Sequence, residues 1–181
     1  MPIRVIGGTA GGRNLKGTAR GGLRPTSDRV REAVFEMLQA RGVSFERVLD
    51  LYSGTGAMGI EALSRGAGNC DFVEADARTA ALIRDNLKAI GLAERARVLP
   101  LAVAKALGRL DDPYSLVVAD PPYEYDRAQK DLTEVIERGL LATEGTLVVE
   151  HSKRHDWPQE LAGRPQLLER RYGDTVVTMY R

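Results

Sequence analysis

The residues with the most chemistry in this sequence are Asp120-Pro121-Pro122-Tyr123, which follow the apolar run Leu116-Val117-Val118-Ala119. Such a run reads as a buried parallel strand whose carboxyl end carries the acid, the edge at which α/β sheets bind ligands. Two prolines hold the backbone extended and remove two N–H donors. The Asp120 carboxylate and the Pro121 carbonyl then become acceptors that can converge on one amine. An exocyclic amine of a nucleobase is a poor nucleophile, because its lone pair is delocalised into the ring. Acceptors on its two N–H bonds orient it, favour a tetrahedral nitrogen and stabilise the positive charge that develops as it attacks carbon. Positioning supplies much of the rest, so a strong general base is not obligatory. Tyr123 offers a flat face for a stacked base, worth about 1–3 kcal/mol. The plainer alternative is a polar strand end followed by a proline-stiffened loop.

A second constellation lies upstream, at Asp50, Tyr52, Ser53, Gly54, Thr55 and Gly56. Glycines at a strand-to-helix turn let the chain bend tightly and let a ligand lie against the backbone. The helix start that follows favours an anionic group. Glu74 stands 20 residues after Gly54, the spacing at which an acid meets ribose hydroxyls, with Ala75 beside it. This is also the dinucleotide fingerprint, so a nicotinamide dehydrogenase is a competing reading. Asp50 argues against it, since a carboxylate within that strand opposes a pyrophosphate and suits an ammonium group. The amino-acid part of S-adenosylmethionine carries that ammonium together with a carboxylate for the helix start. A dehydrogenase also gives the proline loop no purpose.

The elements that must position these loops follow from periodicity. Residues 3–6 and 13–16 flank a glycine-rich turn and predict a hairpin, followed by a loop over 17–25. Thr26, Ser27 or Asp28 caps a helix whose apolar stripe is Val30, Ala33, Val34, Met37 and Leu38, with Arg29, Arg31, Glu32 and Glu36 facing outward. Strands are then expected over 47–52, 69–74, 97–101, 115–119 and 146–150. Helices are expected over 57–65, from Asp76 to Gly91 with Ala80, Ile83, Leu87 and Ile90 inward, and over 127–141. Residues 167–172 and 175–180, joined by Gly173-Asp174, read as a terminal hairpin. Alternating strands and helices followed by a hairpin describe a doubly wound α/β sheet.

With 181 residues, the chain suits one full-sized core. No apolar run approaches the roughly 18 residues that a membrane span needs. The single cysteine, Cys70, excludes an internal disulfide and suits a reducing compartment, so the expected location is the cytoplasm. Cys70 itself reads as plain core. Net charge is only +1, yet residues 1–31 hold seven basic residues against Asp28, a net +6 that leaves −5 for the rest. A basic arm on an acidic body is what binding a phosphate backbone requires; a solvated basic surface is the alternative. Arg4, Arg13, Lys16, Arg24, Arg29 and Arg31 are the candidate contacts. His151 and Glu150 stand at the ligand edge of the sheet, where a lone histidine is more often structural. No His, Cys and carboxylate set has metal-ligand spacing.

At these residues the chain resembles the class I methyltransferases, and within them the bacterial 16S ribosomal RNA guanine-N2 methyltransferases. The resemblance is carried by Arg4-Val5-Ile6-Gly7-Gly8, the stretch from Arg24-Pro25-Thr26 to Glu32, and Val48 through Gly56. Gly59 through Ala67, the Asp120 to Tyr123 loop, and Arg171-Tyr172-Gly173-Asp174-Thr175 continue it. It spans nearly the whole chain. It implies a Rossmann-like, mostly parallel seven-stranded sheet over residues 26–181, with an RNA-contacting hairpin arm over 1–25. It also implies S-adenosylmethionine as methyl donor and a guanine, position 966 of 16S ribosomal RNA in the small subunit, as acceptor. The chain departs from the pattern after the third strand of that sheet. Many class I enzymes bind the adenine amino group there with an acid, where this chain has Leu101-Ala102-Val103, which leaves backbone groups near Ala102 to hold adenine. Adenine-N6 enzymes share the proline loop but normally add a sequence-reading segment, for which this length leaves little room. A non-catalytic RNA-binding factor on the same fold is the remaining alternative, which the intact Asp120 disfavours. A monomer is the default expectation.

Overall fold

The computed structural model describes residues 3–17 and 28–181. Arg24, the candidate caps Thr26 and Ser27, and most of the expected 17–25 loop lie outside the described residues. The chain opens with β1 (Ile3–Arg4) and β2 (Asn14–Leu15), then α1 (Asp28–Ala40), β3 (Arg47–Leu51), α2 (Ala57–Ser64), β4 (Asn69–Val73), α3 (Ala77–Ile90) and β5 (Ala96–Leu99). It continues through α4 (Val103–Ala106), β6 (Tyr114–Ala119), α5 (Ala128–Glu137), β7 (Leu141–Ser152), β8 (Glu160–Leu161), β9 (Arg164–Tyr172) and β10 (Thr175–Tyr180). No helix among the described residues is long and apolar enough to cross a membrane.

Strands β3 to β10 form one sheet in the order β5-β4-β3-β6-β7-β10-β9-β8. The first five run parallel, and β10 lies antiparallel to both β7 and β9. The doubly wound sheet with its terminal hairpin is therefore as expected, extended by the short edge strand β8. The strand order reverses between β3 and β6, and a crevice opens there at the carboxyl ends of both strands.

Alternation along the strands splits the core into two layers. Val48, Phe72, Val118 and Val148 face Phe35, Leu38, Ile60, Leu63 and Ile83 on one side. Leu49, Leu51, Val117, Leu147 and Val149 face Val103, Leu107, Leu132 and Val135 on the other. Helix α2 lies hard against β4: a Cβ on Gly59 would come within 2.4 Å of the Phe72 ring. Helix α3 begins as read, with Asp76 accepting the Thr79 N–H at 2.8 Å, and ends at Gly91 in the left-handed conformation.

Several boundaries differ from the sequence reading, each for a local reason. Strand β5 stops at Leu99 because Pro100 has no N–H to continue a ladder. The short helix α4 then begins with the Ala102 carbonyl accepting from Lys105 and Ala106. Helix α5 ends at Glu137 and the chain reverses at Gly139, whose φ of 71° suits glycine. Strand β7 starts at Leu141, five residues early, and absorbs the excess as an irregularity opposite Tyr114 and Leu116. The first hairpin is shorter than expected, with only Ile3 opposite Leu15 and Arg4 opposite Asn14.

That hairpin docks on the body. Ile3, Val5, Ala10 and Leu15 are buried in the same apolar layer as Val48 and Phe72. The Glu61 carboxylate of α2, fully buried, accepts the Ile6 and Gly7 N–H groups at 2.8 Å each and Arg65 Nε at 2.7 Å. Asn86 of α3 exchanges two hydrogen bonds with the Lys16 backbone. Arg31 corrects the sequence reading, because its side chain is fully buried rather than outward and is not available to a phosphate backbone. Its Nη2 donates to the Arg4 carbonyl and to Asp28 Oδ1, and its Nε lies 3.7 Å from Glu61 Oε2. The stripe that buries Val30 and Val34 is wide enough to carry Arg31 in with it.

A buried charge left without its partner is strongly destabilising, by about 3–5 kcal/mol. Glu61→Ala is therefore expected to lower the unfolding free energy by about that amount in urea titrations, and to speed amide exchange at Ile6 and Gly7. A drop well under 1 kcal/mol would show that Glu61 does not hold the arm.

Candidate functional site

Leu51 pairs with Ala119 across β3 and β6, so the next residues, Tyr52 and Asp120, leave the sheet side by side. The Asp120 N–H reaches back to the Leu51 carbonyl at 3.5 Å. Two loops 68 positions apart in sequence thus start from one point of the sheet edge.

The first loop turns on backbone conformations that few residues adopt. Tyr52, Gly54 and Gly56 have φ of 57°, 52° and 77°. Ser53 spends its side chain on this turn, its hydroxyl donating to the Asp50 carbonyl at 2.6 Å. Helix α2 begins with Gly56 at its N-cap and no side chain capping it, an arrangement that favours a bound anion. Glu74, at the end of β4, accepts the Gly54 N–H through Oε2 and the Asp76 N–H through Oε1, both at 2.8 Å. The acid and the glycine loop singled out in sequence are thus in contact. Ala75 and Ala102 are both exposed.

Asp50 is buried beneath this loop, with Oδ2 accepting the Gly59 N–H at 2.8 Å. Burial pushes its carboxyl up to about 8, opposed by the Gly59 hydrogen bond and reinforced by the charge of Glu74. Asp50, Asp120 and Glu150 line one narrow cavity together with Val34 of α1 and Met58 of α2. Three carboxyls and a thioether thus border one space.

The second loop runs over half-buried Asp120, with Pro121 buried behind it, and then over Pro122 and Tyr123 on the surface. Tyr123 is 40% exposed, with its hydroxyl 3.3 Å from Thr175 Oγ1. Beyond it lies a cleft of about 430 Å³, walled by Pro121, Tyr123 and Tyr125 on one side and His151, Arg154 and Trp157 on the other. His151 serves as wall. Its Nδ1 donates to the Ser152 carbonyl at 3.1 Å, its Nε2 accepts from the Thr178 hydroxyl at 2.9 Å, and its ring packs on Trp157 at 5.3 Å. Burial holds its pKa below the ordinary histidine value.

Sequence reasoning missed Tyr125, Asp131 and Trp157. Only Asp131 left a trace, as the one acid on the inward stripe of α5 with Ala128, Leu132 and Val135. Of the basic candidates, Arg13, Lys16 and Arg29 are exposed, and Arg4 is exposed while pairing with Asp28 at 3.0 Å.

The architecture recurs in known proteins. Residues 3–181 match the family described as conserved hypothetical protein 95. The chain is 34% identical over 184 residues to the protein YlbH of Bacillus subtilis, covering 99% of this chain and 98% of that one. It is 32% identical over 179 residues to the ribosomal RNA small subunit methyltransferase D of Escherichia coli, covering 99% and 89%. The solved structure of the Escherichia coli protein yhhF superposes with a TM-score of 0.87 at 32% identity, covering 99% of this chain and 97% of that one.

The Asp50 geometry has a pH signature. Its carboxyl titrates near 8 when folded and near 3.8 when exposed, so between those values the unfolded chain releases a proton that the folded chain keeps. Its contribution to stability therefore falls as pH rises from about 4 to about 8. Asp50→Asn, which keeps an acceptor for Gly59, is expected to be more stable than the parent at pH 8, with the gap closing towards pH 4. Thermal unfolding of both proteins across that range checks it, and a gap that does not vary with pH would contradict it.

Proposed function

The chain belongs to the conserved hypothetical protein 95 family, with the ribosomal RNA small subunit methyltransferase D of Escherichia coli among its relatives, and from that premise we propose what it does. We infer that it transfers a methyl group from S-adenosylmethionine to the exocyclic N2 of a guanine in 16S ribosomal RNA. The acceptor is the guanine at position 966, within the small subunit or its assembly intermediate, and the chain acts as a monomer. The observation that carries this reading is the shared origin of the two loops at Leu51 and Ala119, with the cleft beyond.

The residues present fit the donor. The uncapped start of α2 suits its carboxylate, and buried Asp50 gains an ionised state beside its ammonium. Glu74, already aimed at Gly54, retains lone pairs for a ribose diol. Ala75 and Ala102 flank the adenine by backbone and packing. Tyr52 and Ser53, whose polar atoms are spent within the protein, act by shaping the Gly54 to Gly56 turn. When bound, the donor supplies an electrophilic methyl group on a positively charged sulfur.

The chain's own residues do the rest. The cleft takes the guanine, Tyr123 stacks on it, and the Asp120 carboxylate and Pro121 carbonyl accept its two amino N–H bonds. The Asp120 carboxylate also receives the proton that the methylated nitrogen sheds. Arg13, Lys16, Arg24 and Arg29 hold the RNA backbone, a task that contributes affinity without reading sequence.

Incubation with labelled donor and undermethylated small subunits, naked ribosomal RNA or DNA, followed by digestion to nucleosides, tests the reading. N2-methylguanosine is expected from subunits; N6-methyladenine or no transfer would overturn it. Asp120→Ala is expected to leave donor affinity within about twofold while slowing transfer by about 10²–10³-fold, the usual penalty for removing one oriented transition-state partner. Weakened donor binding with an unchanged saturated rate would remove Asp120 from that role.

Charge reversal at Arg13 and Arg29 is expected to weaken subunit binding and to reduce the slope of log affinity against log salt, by about one for each phosphate no longer held. An unchanged slope would take the arm out of RNA recognition.

A further inference from the structure

Asp131 has no part in the chemistry above, yet it joins both loops. It lies fully buried in α5, and its Oδ2 accepts two phenol hydrogen bonds, from Tyr52 and from Tyr125, each at 2.9 Å. Tyr52 immediately precedes Ser53 and the glycine turn. Tyr125 follows the reacting loop and is bound to it, its N–H donating to the Pro122 carbonyl at 2.9 Å. The two rings meet edge to face, with centroids 5.7 Å apart. A path of hydrogen bonds and the side chains between them therefore runs from the Pro122 carbonyl through Tyr125 and Asp131 to Tyr52, the residue before Ser53.

We propose that Asp131 is a positioning residue that clamps the donor loop to the reacting loop, fixing the distance between the methyl donor and the acceptor nitrogen. The inference rests on the methyl-transfer reading of the site and assigns to that site a part outside its reacting groups.

Helix packing does not explain an acid here. The neighbours of Asp131 on the inward face of α5 are Ala128, Leu132 and Val135, and an apolar side chain would anchor the helix without the desolvation cost of a carboxylate. Its Oδ1 has no hydrogen-bond partner among the described residues, and Arg127 brings Nη2 only to 3.6 Å. The group is thus under-satisfied on one oxygen while fully used on the one facing the loops. Tyr52 also needs a restraint, because its φ of 57° is a left-handed conformation that an L-residue adopts only at a cost. Burial, followed by the Asp131 charge for Tyr52 and its hydrogen bond for Tyr125, raises both phenols above the ordinary tyrosine value, so both remain donors.

A clamp fails when either end is cut, and that distinguishes it from two independent packing interactions. Tyr52→Phe, Tyr125→Phe and the double variant remove one or both hydroxyls and keep the rings. Single-turnover transfer to undermethylated subunits at saturating donor is expected to slow about tenfold in each single variant, since sub-ångström misplacement of reactants carries penalties of that size. The double variant should be within about twofold of the slower single one. Effects that multiply would overturn the clamp. A second readout needs no turnover. Binding of S-adenosylhomocysteine is expected to slow amide exchange over residues 120–126 in the parent chain and not in either single variant. Equal protection in all three, or none in the parent, would overturn the proposal. A parent chain that shows this protection yet methylates no RNA would sink the substrate reading and leave the clamp standing.

Discussion

The register between β3 and β6 is the constraint from which the site follows. In a parallel pair, a residue's lateral neighbour and the face it occupies are fixed together, and a slip of one position turns every side chain to the other face. With Leu51 opposite Ala119, Asp50 shares a face with Val118, and the two loops emerge together. A slip would send Asp50 to the layer of Leu49 and Leu51 and separate it from the Gly59 N–H that it now accepts. The apolar runs through Val48-Leu49 and Leu116-Val117-Val118-Ala119 hold that register, since both faces are buried. The chemistry at the edge is therefore positioned by hydrophobic burial several residues away.

Electrostatics then divides the molecule. Asp50, Asp120 and Glu150 meet in one crevice, while the exposed positive charges of the first hairpin and α1 lie on the outside. Burial keeps Asp50 protonated up to about pH 8 in the chain alone, and a bound ammonium would restore its charge. The crevice thus favours a cationic ligand, and the arm favours an anionic one. A protein that joins a sulfonium donor to a nucleic acid needs both preferences, kept apart so that neither cancels the other.

The sequence was most legible where one residue type is dictated by backbone geometry. Gly54 and Gly56 adopt positive φ, Glu74 stands at the strand end that contacts them, and Asp76 and Gly91 bound α3 as their chemistry requires. The crossover pattern likewise gave the sheet. Legibility failed where tertiary context outweighs local preference. Arg31 reads as a surface arginine, yet Glu61, thirty positions later, supplies a buried counter-charge that no local pattern announces. Asp131 sits on the inward stripe of α5, and only the approach of the Tyr52 and Tyr125 hydroxyls in the folded chain shows what it holds. The early start of β7 was hidden because Ala142, Thr143, Glu144 and Gly145 form an irregularity and carry no alternation.

The burial of Arg31 changes how the N-terminal arm should be understood. A basic arm that binds RNA is often a loose tether, ordered only by its partner. Here Arg31 and Glu61 bind the arm's backbone at Arg4, Ile6 and Gly7, and the Ser64 hydroxyl donates to the Gly7 carbonyl. Glu61 and Ser64 belong to α2, the helix whose first turn opens from the glycine loop. The arm's backbone at Ile6 and Gly7 and the turn that would hold the donor are therefore anchored by one short helix, while α3 holds the arm at Lys16. A load placed on the arm is therefore passed in part to the same element whose N-cap is Gly56. That arrangement explains why a buried arginine and a buried glutamate, each costly to desolvate, are concentrated at this joint and not at the exposed tip of the hairpin.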